Sequence, residues 1–93
     1  MAYILDSTEI ETRLGELPGW SIDGQMLQSV RTFKNFIEAI NFVNKLVDPA
    51  ETARHHPDIG ISYKTVTISL TTHDAGGLTE KDFELAKTIS RIV

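Results

Sequence analysis

Three histidines are all this chain contains, and two of them are adjacent: His55-His56, followed at once by Pro57. The third is His73. An unperturbed imidazole titrates near pH ~6.5, so each can give or take a proton at neutral pH. Two carboxylates bracket the group, Glu51 before His55 and Asp82 after His73. Histidines spaced this way beside carboxylates make a candidate proton-transfer site, in which a positioned imidazole acts as general acid or base. The competing reading is a pair of ordinary surface histidines. A metal site built from His55, His56, His73 and a carboxylate is disfavoured, because adjacent histidines rarely converge on one ion without supporting groups behind them. There is no cysteine, which excludes disulfides and thiolate ligands. A glycine-rich phosphate loop and a serine elbow are also lacking.

The elements that must position these groups can be read from periodicity and punctuation. A first helix starts at Ser7 or Thr8, with Thr8 and Glu11 as a capping box, and Pro18-Gly19 stops it. Trp20 to Ile22 reads as a short strand, Asp23-Gly24 as a hairpin turn, and Met26 to Phe33 as a returning strand with imperfect alternation. Asn35 caps a central amphipathic helix whose apolar set is Phe36, Ala39, Ile40, Val43, Leu46, Val47 and Ala50. Pro49 interrupts it, and Asp48-Pro49-Ala50-Glu51 also reads as a fresh helix start, so a kink or break belongs near Asp48. The helical run ends at His55-His56, because a residue before proline is pushed out of the α region. A helix C-terminus there favours a protonated imidazole. Glu51 falls four residues before His55, on the same helical face.

Ile59, Ile61 and Tyr63, then Val66, Ile68 and Leu70, alternate with polar residues as two strands around a tight turn at Tyr63 to Thr65. Thr65, Thr67, Ser69, Thr71 and His73 have the opposite parity, which sets His73 at a strand end on the polar face. Asp74 to Gly77 is a loop. Thr79-x-x-Asp82 opens a last helix with Phe83, Ala86, Ile89 and Val93 inward. The order α-β-β-α-β-β-α argues for an α+β fold, a four-stranded antiparallel sheet with helices on one face.

Ninety-three residues make a single domain, spanning 1–93. The net charge is −4, and no basic stripe is visible, which argues against direct nucleic-acid binding. The first residues, Met1 to Asp6, lack the basic flank and long apolar run of a secretory signal. No apolar stretch approaches the ~20 residues that span a bilayer. The expected setting is the cytoplasm. Ile37 and Phe42 widen the central helix's apolar face beyond what one small sheet needs, so a homodimer or homotetramer is expected.

The spaced pattern Glu51-x3-His55-His56-Pro57-x5-Tyr63-x9-His73-x8-Asp82 resembles that of the pterin-4a-carbinolamine dehydratases, known in animals as dimerization cofactors. Leu17-Pro18-Gly19-Trp20, Phe33-x2-Phe36-x2-Ala39 and Thr72-His73-Asp74-x-Gly76-Gly77-Leu78-Thr79-x2-Asp82 resemble further elements of that family. The resemblance covers nearly the whole chain. It implies a hydro-lyase that removes water from a 4a-hydroxytetrahydropterin, of the 4a-hydroxytetrahydrobiopterin type, to give a quinonoid dihydropterin in tetrahydropterin recycling. No cofactor is implied. By resemblance, His55 and His73 are the acid–base residues on opposite faces of the pterin, and His56 orients or binds the ring. Glu51 becomes a site carboxylate that orients an imidazole or binds the amino-pyrimidine edge; its bland alternative is the capping glutamate after Asp48. Asp82 supports the site through the helix start. Trp20 either fills the core, the preferred reading, or stacks on the pterin. Two departures stand out: Pro49, and Ile59-Gly60 where many relatives carry a large aromatic residue. The alternative function is a non-catalytic interaction module, since animal relatives partner a transcription factor.

Overall fold

The computed structural model describes residues 3–92. Met1-Ala2 and the inward place expected for Val93 lie outside the described residues. The elements are α1 (Ser7–Leu14), β1 (Trp20–Asp23), β2 (Met26–Thr32), α2 (Phe36–Lys45), α3 (Val47–Ala53), β3 (Asp58–Ser62), β4 (Thr65–Leu70), a 3-10 turn (His73–Ala75) and α4 (Glu80–Ser90). The strands form one antiparallel sheet in the order β1-β2-β4-β3, as expected of an α+β fold.

Register explains which side of the sheet carries the core. Leu27 pairs with Leu70, Ser29 with Ile68 and Arg31 with Val66, so these residues share one face. Leu27, Val66, Ile68 and Leu70 are buried there against Ala39, Phe42, Leu46, Phe83, Ala86 and Ile89 of the helices. The opposite face carries Gln28, Thr32, Thr65 and Thr67. The imperfect alternation of β2 now has a cause. Val30 points to the open face, while Arg31 points inward. Arg31 donates to the carbonyls of Ile92 and Ile89 at 2.9 and 3.0 Å, and its guanidinium lies 4.6 Å above the Phe42 ring. Carbonyls at a helix C-terminus need donors and attract cations. Burial lowers the Arg31 pKa below the usual arginine value, a desolvation cost that these contacts offset.

The helix boundaries depart from the sequence reading in three places. Asp6, not Ser7 or Thr8, caps α1, in a reciprocal capping box with Glu9. The break in the central helix falls at Leu46 rather than Asp48. Pro49 therefore occupies the first turn of α3, where a missing N–H costs no intrahelical bond. The run also stops before the histidines: α3 ends at Ala53, and Arg54 takes a left-handed conformation at φ 52° and ψ 41°. Arg54 N donates to Glu51 O and His55 N to Ala50 O, at 3.2 and 3.1 Å. This pair of bonds is a Schellman stop, which usually uses glycine. Arg54 ends the helix and turns the chain, and Pro57 only confirms the exit.

The left-handed arginine predicts that Arg54→Gly raises stability by about 0.5–1 kcal/mol, because the strain removed exceeds the flexibility added. A higher urea midpoint checks it. Arg31→Met is expected to cost about 1–3 kcal/mol, since it strips two donors from the α4 terminus and a cation from Phe42. Thermal or urea unfolding of the variant measures the loss.

Candidate active site

Asp82 anchors the site. It is the third residue of α4, placed there because Thr79 caps the helix and Asp82 closes the capping box. Its side chain is completely buried, 0% exposed. A buried carboxylate is costly unless hydrogen bonds surround it. Asp82 Oδ2 accepts from Thr72 Oγ1 at 2.8 Å and from the Thr79 backbone N–H at 2.9 Å. Oδ1 lies 2.6 Å from His55 Nε2. The His55 side chain is 11% exposed, so the pair is nearly dry.

Donor accounting assigns the His55 tautomer. A carboxylate only accepts, so Nε2 carries the proton that Oδ1 receives, and in the neutral ring Nδ1 is left as acceptor. His55 is thus held through Nε2, and its Nδ1 has no hydrogen-bond partner among the described residues.

His56 turns the other way. Its Nε2 lies 2.5 Å from Glu51 Oε2, and both side chains are mostly exposed. The expectation that Glu51 faces His55 is corrected in detail. Because Arg54 reverses the chain, Glu51 meets His56 instead. Nor is Glu51 a capping residue, since α3 starts at Val47. An exposed pair of this kind contributes at most about 1 kcal/mol to stability. Beside it opens a mainly apolar cleft of about 270 Å³, walled by Val43, Val47, Pro57 and Ile59, with Glu51 and His56 at its rim. His55 and His73 do not line it. Ile59 forms part of this wall.

His73 is exposed and sits in the 3-10 turn, not on the strand. β4 stops at Leu70, so the parity argument fails for the last two residues of that series. The turn closes because Gly76, at φ 79°, supplies a left-handed residue after Ala75. The His73 side chain has no partner among the described residues. His73 follows directly on Thr72, whose hydroxyl binds Asp82. Trp20 is not brought to the site. It is buried, and its indole N–H donates to Ser90 Oγ at 2.8 Å. Ser90 lies eight residues beyond Asp82 along α4, about 12 Å by helical rise. Among the described residues, no three histidine, aspartate or glutamate side chains gather as a metal site.

Thr72 and Thr79 are the site groups that residue-type reasoning passed over. Both are buried, and their hydroxyls meet at 2.8 Å. The available signal was indirect: a capping aspartate close to a histidine needs more donors than its own helix provides.

Comparison with known proteins gives this geometry its context. Residues 4–92 match the family model described as pterin 4 alpha carbinolamine dehydratase. A Cyanothece protein named "Putative pterin-4-alpha-carbinolamine dehydratase" is 64% identical over 92 residues, covering 99% of this chain and 95% of that one. A Sulfolobus acidocaldarius protein of the same name is 49% identical over 88 residues, covering 95% of this chain and 97% of its own length. The crystal structure of a transcriptional coactivator/pterin dehydratase from Brucella melitensis superposes with a TM-score of 0.88 at 31% identity, covering 94% of this chain and 95% of that one. The matched span, residues 4–92, contains both carboxylate–imidazole pairs and the turn that carries His73, and the chain belongs to the pterin-4a-carbinolamine dehydratase family.

Proposed function

We propose that this chain dehydrates a 4a-hydroxytetrahydropterin to the quinonoid dihydropterin, as a hydro-lyase in tetrahydropterin recycling. Family membership supports the reaction class. The observation that carries the mechanism is the buried Asp82–His55 pair, which leaves Nδ1 of His55 free for a proton.

The chemistry balances with two proton transfers. The C4a–oxygen bond breaks as the departing hydroxyl takes a proton and leaves as water. The N5–H proton is lost, and its electron pair forms the N5–C4a double bond. One group must donate and another accept. His55 suits the acceptor role, because Asp82 fixes the ring and balances the charge it gains. His73, exposed and with no side-chain partner among the described residues, suits the donor to the hydroxyl on the other face. His56, held by Glu51 at the rim of the apolar cleft, orients the ring. The cleft, at about 270 Å³, lies just below the usual ligand-site range of roughly 300–1,000 Å³; with His55 and His73 outside its lining, it is assigned to the part of the substrate that His56 contacts and not to the reacting C4a–N5 edge. Trp20, tied to Ser90, is left to core packing.

A second reading rests on the open face of α2. Ile37 is 69% and Phe36 50% exposed, although Phe42, expected with Ile37 on the widened face, is buried with Arg31 over its ring. Exposed apolar side chains of this size suit a homo-oligomer or a protein partner, and the Brucella protein is named a transcriptional coactivator as well as a pterin dehydratase.

Generating the 4a-hydroxypterin and following its dehydration tests the enzyme reading. The wild type is expected to exceed the spontaneous rate. His55→Ala and His73→Ala should each lose about 10²–10⁴-fold in kcat, and His56→Ala should chiefly raise KM. A wild-type protein that adds nothing to the spontaneous rate would leave only the interaction reading.

A further inference from the structure

We infer that Thr72 is a positioning residue: its hydroxyl fixes the Asp82 carboxylate that holds His55, while its backbone holds the turn that carries His73. The functional half of this inference rests on the dehydratase reading; the hydrogen-bond half does not.

The direction of the network follows from its ends. Lys81 N–H donates to Thr79 Oγ1 at 3.2 Å. Asp82 Oδ2 can only accept, so the Thr72 proton points to it. The bond between the two hydroxyls must then run from Thr79 to Thr72. Each hydroxyl gives its one proton onward, and the chain ends on the carboxylate whose other oxygen receives His55 Nε2–H. All three members are buried, Thr72 at 6%, Thr79 at 1% and Asp82 at 0% exposure. In such a dry setting a hydrogen bond to a charged group is strong, and losing it leaves a stranded partner.

The backbone of Thr72 does a second job. Its carbonyl accepts from Ala75 N and Gly76 N at 3.1 and 3.0 Å, and its N–H donates to Gly77 O at 3.2 Å. These bonds close the turn on which His73 stands. Rotation of the Thr72 side chain would break its bonds to Asp82 and Thr79, and a shift of its backbone would open the turn. Two imidazoles on separate elements are referred to one residue.

The test compares Thr72→Val, which keeps the shape and removes the hydroxyl, with Thr72→Ser, which keeps the hydroxyl. Imidazole ¹⁵N shifts give the His55 tautomer without any substrate. We expect Nε2–H with free Nδ1 in the wild type and in Thr72→Ser, and a shifted or mixed population in Thr72→Val. Dehydration kcat should fall about tenfold or more in Thr72→Val with KM nearly unchanged, the size of one lost bond to a charged group. Thr72→Ser should restore most of it. Unchanged His55 shifts in folded Thr72→Val overturn the inference, as does equal impairment of the valine and serine variants. If the wild type itself is inactive, the dehydratase reading fails while the shifts still decide the coupling.

Discussion

A carboxylate withdrawn completely from water has to find donors, and Asp82 finds three: an imidazole, a hydroxyl and a backbone N–H. Each comes from a different stretch of chain. The imidazole follows α3, the hydroxyl lies beyond β4, and the N–H belongs to the cap of α4. Satisfying this one side chain draws together the end of α3, the turn carrying His73 and the start of α4. The sheet beneath supplies the platform, because Leu70 and Ile68 of β4 pack against Phe83 and Ala86 of α4 in one core.

The same residue closes a capping box and holds a site histidine, so helix formation and site assembly are not separable events here. A cap of this kind stabilises by about 1 kcal/mol. The left-handed Arg54 is the complementary constraint. It ends α3 one residue before His55 and turns the chain, sending His55 inward to Asp82 and His56 outward to Glu51. Two neighbours in sequence thereby acquire different surroundings: one buried, one at the rim of an apolar cleft.

Much of this was legible in the sequence because local chemistry decides it. Asn35 and Thr79 cap the helices they were expected to cap, and the alternation of Val66, Ile68 and Leu70 gave the buried face of β4. Glu51, His55, His56, His73 and Asp82 stood out by type and spacing. What was not legible depends on contacts distant in sequence. Arg31 faces inward because the carbonyls at the end of α4 need donors, which no pattern within β2 reveals. A helix stop at Arg54 was hidden because glycine normally marks such a site. The pairing of Glu51 with His56 followed from that stop. Thr72 entered only as the first residue of a family-like signature, and its role depends on a buried aspartate that local pattern does not reveal.

The central claim is that the charge of Asp82, and not its role as a cap, prepares His55 for proton transfer. Asp82→Asn separates the two, since an amide oxygen still caps the helix but an amide NH₂ turned to His55 favours the wrong tautomer. The direct measurement is the dehydration rate of folded Asp82→Asn, with folding checked by circular dichroism and thermal unfolding. The account predicts a native-like fold with kcat reduced about 10²-fold or more. A folded Asp82→Asn protein with wild-type kcat would contradict it.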